Sequence, residues 1–143
     1  MIFDTSVKDK KVKKEIDNLV GKPFHILDII KMGTIGSSRM EVLEYSKLFT
    51  KVMTWDKQKV QASIALRPEG ILVILNVRLS NYSWVIPYRY LSIFKTEVLT
   101  IHSQGEFLKL KYSPYQNDKF VDKIIKLKNE NSPNKDYFGD DFK

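Results

Sequence analysis

The chain has 143 residues, 43% of them hydrophobic and 12% aromatic, with 24 Lys and Arg against 17 Asp and Glu for a net charge of +7. That is enough apolar material for one domain with a real core, and it excludes a disordered chain. The lack of cysteine excludes disulfides and thiolate metal sites, and the longest aliphatic run, Ile71-Leu72-Val73-Ile74-Leu75, is too short to cross a bilayer. Lysines 8, 10, 11, 13 and 14 crowd the start with no apolar run beside them, which points away from a signal peptide. The expectation is a soluble protein of a reducing cytoplasm.

Val12, Ile16, Leu19 and Val20 recur at helical spacing, so a helix is expected over residues 7–19, ending near Gly21. The apolar segment from Phe24 to Ile30 has no clear period. Gly33-Thr-Ile-Gly-Ser-Ser38 is a break. Ser38 and Glu41 then have the spacing of a capping box, and Val42, Tyr45, Phe49 and Val52 follow at three- and four-residue steps. This predicts a helix over residues 38–55. From Val60 the period changes to two, through Ala62, Ile64 and Leu66, and a strand is expected. Arg67-Pro68-Glu69-Gly70 is a turn. Residues 71–77 are apolar on both faces and suit a central strand. A strand over residues 82–86 follows, with Tyr82, Trp84 and Ile86 on one face and Pro87 marking its end. The weight of the pattern puts Trp84 and Ile86 in the core. Strands over 90–94, 97–102 and 106–112 complete the block. Asn117 is the expected N-cap of a closing amphipathic helix that carries Phe120, Val121, Ile124, Ile125 and Leu127.

The charge is unevenly placed. Residues 57–112 carry 8 basic and 3 acidic groups, which accounts for most of the excess. A basic sheet favours an anionic partner such as phosphate, nucleic acid or a membrane surface, and the plainer alternative is a lysine-rich solvated face. No catalytic constellation appears. His25 and His102 stand alone, no serine lies in a Gly-x-Ser-x-Gly motif, and Asp140-Asp141 sit in a polar tail. The chain therefore reads as non-enzymatic, with no metal site and no cofactor.

The runs from Ala62 to Ile74, Ser83-Trp-Val-Ile-Pro-Tyr88, Val98-Leu-Thr-Ile-His102 and Gly105-Glu-Phe-Leu-Lys-Leu110 together resemble a bacterial pleckstrin-homology-like (PH-like) domain over about residues 57–129. The resemblance implies an α+β fold, a bent antiparallel sheet or barrel capped by a C-terminal helix. Residues 1–56 are then a mostly helical extension packed on the same domain, 57–130 the PH-like block, and 131–143 a flexible tail. The first hairpin loop departs from phosphoinositide-binding relatives, because Arg67 is its one basic group and Glu69 lies beside it.

Two sets of residues are candidate sites. Arg67, Arg78, Arg89, Lys95, Lys109 and Lys111, interleaved with Tyr82, Trp84 and Tyr88, form an expected ligand surface for a protein segment or an anionic partner. The alternative is a nucleic-acid binder. Gly33, Gly36, Ser37, Ser38 and Arg39 would contact phosphate, because the Gly-x-x-Gly spacing resembles the backbone clamp of KH domains and the expected helix N-terminus at Ser38 would favour an anion.

Overall fold

The computed structural model describes residues 1–53, 60–77 and 79–131. The protein is an α+β structure. In chain order it comprises β1 (Ile2–Asp4), α1 (Lys10–Val20), α2 (Ile26–Met32), β2 (Met40–Tyr45), a 3-10 turn (Lys47–Phe49), α3 (Thr50–Met53), β3 (Gln61–Arg67), β4 (Gly70–Val77) and β5 (Ser80–Pro87). A second 3-10 turn (Tyr88–Tyr90) leads to β6 (Ser92–Lys95), β7 (Val98–Ser103), β8 (Glu106–Lys111) and α4 (Pro114–Glu130). The strands form one antiparallel sheet in the order β1-β5-β4-β3-β2-β8-β7-β6, open at β1 and β6 among the described residues.

The strands form where the sequence alternates. In β3, Ala62, Ile64 and Leu66 are buried while Gln61, Ser63 and Ala65 are not. β4 is covered on both faces, as its unbroken apolar run requires. Ile71, Val73, Leu75 and Val77 join the main core, whereas Leu72 packs with Val85 of β5 and with Ile16 and Val20 of α1. Trp84 and Ile86 are core residues, and Trp84 meets Phe49 edge-on with ring centroids 4.9 Å apart. Inward residues from both ends of the sheet, including Ile64, Ile101 and Leu108, share this core with Phe120, Val121 and Ile124 of α4. The sheet therefore curves around one apolar centre, and α4 lies against it.

α1 begins at Asp9, whose side chain accepts from the amides of Lys11 and Val12, and ends at Gly21 with φ of 85°. Two expectations for the helices fail. Residues 38–45 are not helical: Met40 and Glu41 pair with β3, and Val42, Glu44 and Tyr45 pair with β8. The helical spacing of Val42 and Tyr45 loses to the backbone ladders that β3 and β8 offer on either side. Ser38 gives its amide and hydroxyl to the Asn117 Oδ1 at 3.1 and 3.0 Å. It does not cap a helix. Helical structure appears only from Lys47 to Met53, where Phe49 and Met53 reach the core. Residues 54–55 of the expected helix lie outside the described residues, as does the tail beyond Asn131. Asn117 is the second correction. α4 starts a turn earlier, with Ser113 as N-cap and proline in its first turn, so Asn117 sits inside the helix and is 1% exposed. The stretch 1–56 also contributes two strands, with β1 pairing Ile2 to Trp84 of β5.

The β3–β4 turn is tightly seated. A Cβ on Gly70 would stand 2.3 Å from the Ile86 carbonyl oxygen and 2.5 Å from Val20 Cγ1, while one on Gly105 would meet nothing within 4 Å. Gly105 is constrained only by its φ of +82°. Gly70→Ala is expected to destabilise the domain by about 3 kcal/mol or more through overpacking, and Gly105→Ala by only ~1 kcal/mol through backbone strain. Urea denaturation of the two variants measures this contrast.

Candidate functional site

The basic residues singled out from the sequence sit on separate elements, and several are bound within the protein. Arg67, at the end of β3, donates to Asp17 at 2.9 Å and to the Gly21 carbonyl at 2.8 Å, which fastens α1 to the sheet. Lys95, at the end of β6, is paired with Asp118 at 2.9 Å and Asp122 at 2.7 Å on α4. Lys109 of β8 lies 3.3 Å from Glu44 of β2. Lys111 is exposed at the end of β8, and Arg78 lies outside the described residues. Arg89 stacks on the Tyr90 ring, 4.8 Å from its centroid.

Arg89 also lines an open cavity of about 410 Å³ with Asn18, Leu19, Glu69, Pro87, Tyr88 and Asn131. Its floor is fixed by Tyr88, which is 1% exposed and donates its hydroxyl to the Arg67 carbonyl at 2.9 Å. Burial raises the Tyr88 phenol well above its ordinary pKa, so it stays a neutral donor.

The segment 33–39 does not form a clamp ahead of a helix. Gly33 closes α2 with φ of 83°, and Gly36 bridges to Ala65 of β3. The Ser37 amide donates to the Ile64 carbonyl at 2.8 Å, and the Ser37 hydroxyl accepts from the Ile64 amide at 2.8 Å. Of this set Gly33, Ser38 and Arg39 are exposed, while Gly36 and Ser37 are half-buried. The helix dipole that would have favoured an anion at Ser38 is absent, because β2 follows it.

The structure instead brings out a surface that the sequence left unassigned. α2 has no buried residue. Ile26, Leu27 and Ile30 are 77%, 72% and 71% exposed. Between α2 and α4 runs a groove of about 360 Å³ lined by Lys31, Met32, Lys123, Lys126, Leu127 and Glu130. Lys123 spans it, donating to the Thr34 carbonyl at 3.1 Å. The signal was present in the sequence as an apolar segment of uncertain period, bounded by Pro23 and Gly33 and flanked by Lys22 and Lys31. An apolar run reads alike whether it enters a core or faces solvent.

No group of three or more His, Asp or Glu is placed to hold a metal ion among the described residues. His25 is the exposed residue preceding α2, and the His102 ring lies between Phe94 and Phe107, with centroids 6.1 and 5.6 Å away. No helix among the described residues is long and apolar enough to cross a membrane. No family model, curated protein or solved structure matches the chain.

The Lys95 cluster has a defined electrostatic character. Hydrogen bonds from Lys95 and then from Tyr112 hold the Asp118 carboxyl below its ordinary range, and those to Asp118 and Asp122 raise Lys95 above its own. The Asp118 contribution is present above the ordinary carboxylate pKa and is lost as pH falls through its lowered value. The Lys95 contribution is full below the ordinary lysine pKa and is lost as pH rises through its raised value. The clasp between β6 and α4 is thus strongest between about pH 4 and 10. The Tyr112 phenol is pushed up to about 12, by desolvation first and then by its 2.5 Å hydrogen bond to Asp118. Asp118→Asn is expected to lower the Tyr112 pKa part of the way toward its ordinary value, the burial contribution remaining. Carbon-13 NMR of the labelled Tyr112 ring across alkaline pH measures it.

Proposed function

We propose that this protein is a non-enzymatic recognition module on a PH-like frame, and that it meets a protein segment or an anionic surface through α2. The observation that carries the reading is the exposure of Ile26, Leu27 and Ile30 on a helix with no buried residue. Such a cluster lowers solubility without contributing to the core, so its retention is explained by a partner that covers it. The PH-like part is supported by the β3–β4 hairpin, by the strand that closes on Ile86, Pro87 and the buried Tyr88, and by the final helix lying against the curved sheet. The binding part is further supported by the internal engagement of Arg67, Lys95 and Lys109, whereas Lys31 and Lys126 line the groove between α2 and α4 beside this apolar surface.

The triple variant Ile26→Ser/Leu27→Ser/Ile30→Ser separates a partner surface from a structural one. Exposed positions away from packing change stability by about 0.5 kcal/mol or less each, so the midpoint of urea denaturation is expected to stay in place. A large drop in that midpoint would show that these side chains serve the fold itself and would withdraw the reading. Turnover of any substrate that a single side-chain substitution abolishes would contradict the non-enzymatic assignment.

A further inference from the structure

We infer that the partner of α2 is an anionic lipid bilayer, with Ile26, Leu27 and Ile30 entering the headgroup region and Lys22, Lys31, Lys123 and Lys126 meeting the lipid charge; this rests on α2 being the contact face. A helix advances ~100° per residue. Ile26, Leu27 and Ile30 therefore fall within one arc, and Lys31 borders it. Ile29 and Met32, both half-buried, mark the side turned toward the protein, and Met32 packs on the core. Asp28 lies beyond Lys31, on the flank away from the apolar arc.

The acids nearby are fewer than the bases. Asp28 and Glu130 stand against Lys22, Lys31, Lys123 and Lys126, and Lys123 is tied by one hydrogen bond to Thr34. Aliphatic residues projecting from a short helix, with Lys22 ahead of it, Lys31 bordering their arc and Lys123 and Lys126 along the adjoining groove, match the two terms of interfacial binding, buried apolar area and attraction to anionic lipid. A protein partner fits the composition less well. Protein interfaces concentrate binding in Trp, Tyr and Arg and are depleted in Lys, and the α2 patch holds none of the three and is bordered by lysines.

The test is flotation of the full chain with phosphatidylcholine vesicles, with and without phosphatidylserine, at low and moderate salt. Binding is expected to vesicles containing phosphatidylserine and to weaken with salt. It should fall about fivefold for each of Lys31→Gln and Lys126→Gln. The Ile26→Ser/Leu27→Ser/Ile30→Ser variant should lose about tenfold or more, while Leu79→Ser, at a fully exposed leucine elsewhere, should lose nothing. No flotation at low salt, equal binding to phosphatidylcholine alone, or full binding by the triple variant would overturn the inference. A photoreactive leucine analogue at position 27, in cells producing the protein, separates this inference from the reading beneath it. A lipid adduct supports both. A protein adduct overturns the bilayer and leaves α2 as a contact face. Labelling no greater than at position 79 overturns both.

Discussion

The fold depends on one backbone constraint: β2 must supply hydrogen bonds to two strands that belong to opposite halves of the sheet. It meets β3 through Met40 and Glu41 and β8 through Val42, Glu44 and Tyr45. Neither ladder uses its full length, and the register is irregular just ahead of the first and within the second. Between the Gly36–Ala65 bridge and the Met40–Ala62 pair, the segment leading into β2 advances four residues against three on β3. A second register shift falls between Val42 and Glu44. Bulges of this kind bend a strand and increase its local twist, which is what wrapping one sheet around one core requires. The end of β2 is pinned as well: the Ser46 amide donates to the Phe107 carbonyl, and the Ser46 hydroxyl donates to Glu106. From there the chain can only turn inward, and Phe49 arrives edge-on against Trp84.

The same strand seats the last helix. Asn117 uses its side-chain oxygen for both donors of Ser38, just ahead of β2, and its amide nitrogen is left buried without a hydrogen-bond partner among the described residues. An unmet buried donor costs about 1–3 kcal/mol. The burial of Phe120, Val121 and Ile124 on the face of α4 that this contact orients outweighs it. On the outer side the Lys95 clasp ties α4 to the edge strand β6, so the helix is held both at the middle of the sheet and at one edge.

The parts legible in the sequence are those whose pattern is decided locally. The alternation in β3, the two-faced apolar run of β4, the stop at Pro87 and the apolar row of α4 are all local signals, and each agrees with the structure. β2 was not legible because Val42, Tyr45 and Phe49 satisfy a helical period, while the ladders that make Met40–Tyr45 a strand come from residues more than 15 positions away. The candidate site was illegible for a related reason. Charge can be counted from the sequence, but pairing cannot. Arg67 and Lys95 add to a basic total and yet are held by Asp17, Asp118 and Asp122. α2 adds to the hydrophobic total and yet has no fully buried residue.

The separation of the buried residues into two clusters bears on how the molecule opens. Ile16, Val20, Leu72 and Val85 form a small layer on the outer side of β4 and β5, divided by the sheet from the main core. α1 is held there by two of its own buried side chains and by the Asp17–Arg67 pair. Cooperative units open in order of the contacts they must give up. Lifting α1 from the sheet is therefore a sub-global excursion that leaves the curved core intact. In that partly open form Leu72 and Val85 face water on β4 and β5, an apolar surface that a second copy of the chain could cover.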